Sequence, residues 1–256
     1  MSESHLFYGY KKLISINKNL NFLHLKLVAI VAMTIDHFAW LFVETSSFEG
    51  QALHFVGRIT APIMCFLLVE GFYQSQNIKK YVGRLFIFAI LSQLPFAFML
   101  KGWESILNSP ILIFYKLNIL FNLLLGLLTL VVWSSTLHFI IRFLLVSLFL
   151  LLSTMMDWGV FIIIFVCILG LFRKNRNQQI ISYLMAAMGL LLLVDLGVIG
   201  GLPTLILQWM PLGILIVPIF LWKCNYQFGH RFGGKYFFYA YYPIHMFILA
   251  FFKYSF

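Results

Sequence analysis

The sequence predicts an all-α fold, a polytopic transmembrane helix bundle of about nine spans with its N-terminus in the cytoplasm. Three observations predict it: the composition, the recurrence of apolar runs, and the placement of the basic connectors. Hydrophobic residues make up 62% of the 256-residue chain and charged residues 10%, with a mean hydropathy of +0.95. Soluble domains carry about 25% charged residues. A chain with 29 phenylalanines and so few charges lacks the polar atoms to cover its own surface, so its solvent is expected to be lipid. A backbone in lipid must bond to itself, and runs of this length do so as helices.

A spanning helix needs roughly 20 mostly apolar residues. Runs between polar or Gly/Pro breaks fall approximately at 23–43, 52–73, 81–100, 110–133, 137–153, 158–172, 180–199, 202–222 and 236–254. The fifth and sixth are short. As a re-entrant pair they change the count and leave the topology on either side intact. Residues 1–22 mix Leu, Phe, Tyr and Ile with lysines and read as an interfacial lead-in. Residues 23–256 read as one transmembrane domain without internal repeat or low-complexity tract. The first run is too long for a cleavable signal, carries Asp36 and His37, and lacks a small-residue cleavage site.

The connectors test this division. Lys11, Lys12, Lys18, Lys26, Lys79, Lys80, Arg84, Arg142, Arg173, Lys174, Arg176, Lys223, Arg231 and Lys235 fall on one side, and Lys101, Lys116 and Lys253 on the other. Fourteen basic residues against three place the N-terminus in the cytoplasm and the C-terminus outside. The net charge of +10 therefore encodes topology, and no nucleic-acid partner is expected from it. Cys65, Cys167 and Cys224 lie far apart without metal or disulfide spacing and read as buried apolar residues; no metal is expected.

Ionisable side chains inside a span cost about 2.5–3.5 kcal/mol each at the helix centre, which makes them functional candidates. Asp36 and His37 sit in the first run and Arg58 in the second. His37 is about 9 Å below the outer boundary of its helix, and Arg58, on a helix running back inward, lies at a matching depth. Gln93 and Asn118 come about seven residues from the outer ends of the third and fourth runs, and Asp195 lies nearer the outer end of the seventh. Polar residues at one depth can be interhelical ties. Ties need no titratable imidazole, however, and a buried ion pair is a poor way to gain stability. An Asp36–Arg58 pair leaves His37 as the proton-transfer group. Glu70 lies near the inner end of its run, His245 at mid-depth behind Tyr241, Tyr242 and Pro243, and Asn118 and Asn122 share a helix face. Asp157, Trp158 and Gly159 read as a tight outer turn. P-loop, dinucleotide, zincin and nucleophile-elbow signatures are absent.

Several blocks then resemble the TraX family, whose type member is a conjugative pilin acetylase, within the wider class of membrane acyltransferases. They are Met33-Thr34-Ile35-Asp36-His37, Gly57-Arg58 with Ala61-Pro62-Ile63, Phe66-Leu67-Leu68-Val69-Glu70-Gly71-Phe72, Ser92-Gln93 with Pro95-Phe96, 118–126, and Tyr242-Pro243-Ile244-His245. Asn122 stands where the family more often has a small hydroxyl residue, and 134–235 matches only loosely.

The resemblance implies a bacterial inner-membrane, multi-pass enzyme moving acetyl from cytoplasmic acetyl-coenzyme A to an acceptor at the outer face. That acceptor is a pilin N-terminal amine or an envelope glycan. On this reading His37 is the general base, Asp36 favours the imidazolium, and Arg58 steadies Asp36 or the developing oxyanion. Gln93, Asn118, Asn122, Glu70, Tyr242 and His245 line or support the substrate site. Lys79, Lys80 and Arg84 hold the coenzyme phosphates. Direct transfer and an acetyl-histidine intermediate are both open. A proton-coupled transporter using Asp36, His37 and Arg58 as a relay, and a non-catalytic assembly factor for surface appendages, are the competing expectations.

Overall fold

The computed structural model describes residues 20–197, 208–229 and 236–255. The lead-in through residue 19 lies outside the described residues. So do the junction of the seventh and eighth expected spans and the basic residues Lys11, Lys12, Lys18, Arg231 and Lys235. The helices are α1 (Phe22–Phe42), α2 (Phe48–Gly57), α3 (Thr60–Gln74), α4 (Ile78–Lys101), α5 (Trp103–Asn108), α6 (Ile119–Trp133), α7 (Phe139–Ser153), α8 (Val160–Leu171), α9 (Arg176–Asp195), α10 (Val217–Lys223) and α11 (Phe237–Ser255). Among the described residues there is no strand, only isolated bridges at Leu20–Cys224 and Leu117–Met156.

Polar residues set many of the starts. Asn21, Ser47, Asn77, Asn118 and Asn175 each accept a backbone N–H from the first turn of α1, α2, α4, α6 and α9, satisfying donors that have no intrahelical partner. In α1, His24 answers Asn21 by accepting its backbone N–H, completing a capping box.

Four helices are long and apolar enough to cross a membrane: α1, the 27-residue run of α2 and α3 (Phe48–Gln74), α4 and α9. Shorter apolar helices are α6, α7, α8 and the segment Met210–Lys223. Large apolar side chains such as Ile87, Leu91, Phe143, Leu144 and Phe251 cover the outward faces, which suits lipid and not water. The chain is an all-helical membrane protein.

Two expected spans are not continuous helices. The fourth, 110–133, opens with a 3-10 turn at Pro110–Phe114, and its α-helix begins only at Ile119. Between them Leu117 bonds through its backbone to Met155 and Asp157. Asn118 is thus the residue that caps α6 and does not lie on its face. The described part of the eighth, from residue 208, is a 3-10 segment at Met210–Ile216 followed by the seven-residue α10. Pro211 and Pro218 sit in the first turn of each, where a missing N–H is tolerated. The second span passes from α2 to α3 through Arg58 and Ile59, both in α conformation.

The main core is an apolar cluster that includes Leu25, Phe66, Val69, Leu127, Phe165, Tyr183 and Met246, with a small second cluster of Leu125, Met156 and Ile163. Around it α11 packs on α4 and α1, α3 on α1 and α8, and α6 on α4 and α8. Lys26 lies over Phe238 and Lys253 over Phe42, so α1 and α11 run parallel, as any odd number of spans requires. Helix α7 stands at the edge, touching only α6 and α8 among its main neighbours.

Candidate functional site

Where α1 meets α11, two imidazoles stack with centroids 4.9 Å apart, and His37 Nδ1 lies 2.7 Å from His245 Nε2. His245 Nδ1 is 2.8 Å from the Tyr241 carbonyl oxygen one turn back. A carbonyl only accepts, so His245 carries its proton on Nδ1 and presents Nε2 as an acceptor. The neighbouring nitrogen of His37 must then be the donor, which leaves His37 Nε2 with a lone pair. The sequence makes this pair with two helices packed in parallel, each bringing one buried ring to the same seam. Thr34, one turn before, holds the Tyr241 hydroxyl at 2.7 Å and keeps the two helices in register.

Beside them, Asp36 points to α2. Its Oδ1 accepts from His54 Nδ1 at 2.8 Å, and its Oδ2 lies 4.0 Å from Arg58 Nη1. His54 is fully buried against the Trp40 ring. Gly57 makes this approach possible: a Cβ there would overlap the Asp36 carboxylate. The Arg58 guanidinium lies between the Trp40 and Trp158 rings, 6.0 and 5.4 Å from their centroids. Its only other polar contact among the described residues is Met210 Sδ at 3.9 Å. Trp158 holds φ at +65° and Gly159 at +48° in the turn expected there. An αL conformation costs a large side chain about 1–2 kcal/mol, and here it lays the indole on Arg58.

Of these residues Asp36, His37, Trp40, Gly57, Arg58 and Trp158 border one cavity of about 1330 Å³, while His54 and His245 stand behind them and do not line it. It follows α1 from Leu23 to Leu41, about 27 Å at the helical rise. Lys26, Gln74, Ser75, Tyr81, Arg84 and Tyr239 line one end. Asp36, His37, Arg58, Tyr242 and Trp158 come further along, with Lys116, Asp157 and Lys253 towards the other end. Mostly apolar side chains make up the wall between. A group placed in this cavity meets the His37 imidazole and the Arg58 cation in a water-poor setting, where charge interactions are strong.

A family model described as TraX protein matches residues 23–253. The chain belongs to the TraX family. A curated relative from Dichelobacter nodosus, named probable fimbrial assembly protein FimC of serogroup H1, is 40% identical over 237 residues, which cover 91% of this chain and 97% of the relative. No solved structure matches the chain.

Other polar residues of this TraX chain are brought together elsewhere. Gln93 gives both amide hydrogens to the carbonyls of Ile113 and Lys116 and accepts from the Asn118 backbone and side chain. Asn118 also donates to the Ala89 carbonyl and caps Leu120. Asn122 ties the turn by donating to the carbonyls of Asp157 and Gly159. Glu70 takes a two-pronged bond from Arg173, 2.9 Å on each oxygen, which fastens α3 to the connector after α8. That bond raises the affinity of the Arg173 guanidinium for its proton, outweighing partial burial. None of Glu70, Gln93, Asn118 or Asn122 lines the cavity. Tyr242 does, with its hydroxyl buried and without a hydrogen-bond partner among the described residues.

Lys79 and Lys80 are exposed at the start of α4 and lie off the cavity, whereas Arg84, one turn on, borders it. Among the described residues no three His, Cys, Asp or Glu side chains gather as a metal site. Sequence reading passed over His54 and Trp40, and gave Lys26 and Tyr239 no role at the site. His54 had a signal, since it precedes Arg58 by four residues and shares its helix face. Lys26 was counted as a topology charge and as part of a family block, with no ligand assigned to it.

Proposed function

We propose that this TraX chain is a multi-pass inner-membrane acetyltransferase, passing acetyl from cytoplasmic acetyl-coenzyme A to an amine or hydroxyl acceptor at the outer face. One observation carries the reading: a single cavity along the helices passes the free nitrogen of His37, with a cationic mouth at one end. The basic connectors set that mouth in the cytoplasm. In the reaction the acceptor nitrogen or oxygen attacks the thioester carbonyl, His37 Nε2 takes the acceptor proton, and the carbon–sulfur bond breaks. The proton then passes to the departing thiolate, giving acetylated acceptor and free coenzyme A. As His37 becomes an imidazolium, its Nδ1 proton stays bonded to His245, which the Tyr241 carbonyl holds in the accepting tautomer. Arg58 offers positive charge to the tetrahedral oxyanion, and His54 with Arg58 keeps the Asp36 carboxylate directed away from the acyl group.

The name of the Dichelobacter relative favours a second reading, a fimbrial assembly factor without catalysis. Complementation of a deletion strain separates the two. The enzyme reading expects His37→Ala, present at wild-type levels, to fail to restore acetylation of surface proteins or glycans by mass spectrometry. Restoration of both fimbriae and the acetylation pattern by His37→Ala overturns it.

A further inference from the structure

The end of the cavity opposite Trp158 contains two cations that have no counter-charge among the described residues. Lys26 is half-buried on α1, four residues into the helix, with the Phe238 ring 5.2 Å from its Nζ. Arg84 is half-buried on α4, its guanidinium 5.7 Å from the Tyr81 ring and beside the Tyr239 hydroxyl. The ion pairs among the described residues are Asp36 with His54 and Arg58, Asp157 with Lys116, and Glu70 with Arg173. Neither Lys26 nor Arg84 has one. Arg84 Nε is also buried with no hydrogen-bond partner.

This is an expensive arrangement. A buried donor without an acceptor costs about 1–3 kcal/mol, and two like charges facing one apolar cavity add to that. Several other cations are treated differently: Arg173 and Lys116 have carboxylates, and Arg176 donates to the carbonyls of Trp222 and Cys224; Arg142 shares the buried, unpartnered Nε but lies off the cavity and donates through Nη1 to the Trp133 carbonyl. Lys79 and Lys80 simply reach solvent. An anion between Lys26 and Arg84 would discharge the cost. The donors available to it are an ammonium, a guanidinium fork and the hydroxyls of Tyr81 and Tyr239, with Gln74 and Ser75 on the same wall. Such a set of donors, with no acceptor carboxylate among them, fits phosphate oxygens.

We propose that Lys26 and Arg84, with Tyr81 and Tyr239, form a phosphate-binding site at this mouth of the cavity. It rests on the acetyltransferase reading for its occupant, the diphosphate of coenzyme A; an anionic phospholipid headgroup offers the same chemistry. The placement moves phosphate binding from the exposed Lys79 and Lys80 to a pair that borders the cavity leading to His37. A donor held there has its acyl arm directed inward by the apolar wall.

The test uses the full-length protein in a non-ionic detergent, titrated calorimetrically with coenzyme A, with inorganic pyrophosphate, and with phosphatidylglycerol in mixed micelles. Coenzyme A and pyrophosphate should both bind, and Lys26→Gln and Arg84→Gln should each weaken them by at least about tenfold, the loss of one charge-assisted bond. Lys26→Arg, which keeps the charge, should retain most of the affinity and shows that position 26 still folds. Lys223→Gln removes an exposed charge and should change nothing. Equal binding of coenzyme A by wild type, Lys26→Gln and Arg84→Gln overturns the site while leaving the acetyltransferase reading standing. So does a loss in Lys79→Gln with none in Lys26→Gln. Binding of phosphatidylglycerol that depends on Lys26 and Arg84, with no binding of coenzyme A, supports a phosphate site of lipid origin and overturns the acetyltransferase reading. Absence of all three interactions overturns the site.

Discussion

Gln93 and Asn118 spend nearly all their hydrogen-bonding capacity on backbone carbonyls and on each other, whereas His37 and Arg58, also within the membrane-facing bundle, hold capacity back for a cavity. Both regions look alike in a hydropathy plot: isolated polar letters in apolar runs. The difference is one of saturation. An amide that pins the irregular 113–118 segment to α4 replaces the water such a backbone would need. An imidazole with one nitrogen fixed by a neighbour and the other free is arranged to exchange a proton. Depth in the membrane therefore does not separate tie from reagent; the disposition of the last lone pair does.

The contrast can be broken or sharpened by substitution. Largest is His37→Ala, which should lower acetyl transfer by about 10²–10⁴-fold, the usual contribution of a general base, while the unpaired His245 Nε2 lowers stability by only about 1–3 kcal/mol. Next comes Asn118→Ala. It removes a helix cap worth about 1 kcal/mol and the side-chain bonds from Asn118 to Gln93 Oε1 and the Ala89 carbonyl, so a destabilisation of about 1–3 kcal/mol is expected. It should show as a lower unfolding midpoint in detergent, while the fraction that stays folded keeps its turnover. Gly57→Ala should push the Asp36 carboxylate off His54; turnover should fall more than tenfold, an amount typical of a misplaced catalytic support, and a small-to-large strain of about 1–3 kcal/mol should accompany it. The smallest effect belongs to His245→Gln. The Gln carbonyl can still accept the His37 Nδ1 proton, so the loss should be about tenfold, within the range for a group that orients another, and His245→Leu should lose more. An Asn118→Ala protein that folds well and is inactive, beside an active His37→Ala, would exchange the two roles.

Much of the fold was legible because lipid imposes a simple rule. Every expected span has helical residues within its described part, and α1, α4 and α9 follow their apolar runs to within a few residues. The misses have local causes. The 110–133 run is mostly apolar, but Pro110 and the backbone pairing of Leu117 with 155–157 keep its first part out of the α-helix, and hydropathy does not register either. At the site, Asp36, His37 and Arg58 were visible as charges in apolar surroundings, and the structure gathers them along one cavity. The partner choices were not visible. An Asp36–Arg58 pair was the simplest inference, yet His54 takes the carboxylate at 2.8 Å and leaves Arg58 at 4.0 Å. His245 lies 208 positions from His37, a contact that follows from the parallel packing of α1 and α11 and from no local pattern. Lys26 was hidden by its neighbours in sequence, since a lysine near the cytoplasmic end of a span is what topology alone supplies.

Acetyl turnover by the purified protein decides most. Reconstituted in vesicles and given acetyl-coenzyme A labelled in the acetyl group with an amine acceptor, wild type should release coenzyme A and label the acceptor, and His37→Ala of matched folding should do neither above background. Equal labelling by the two proteins, or none by a folded wild type supplied with pilin and glycan acceptors, would contradict a proton-accepting His37 in an acyl-transfer cavity.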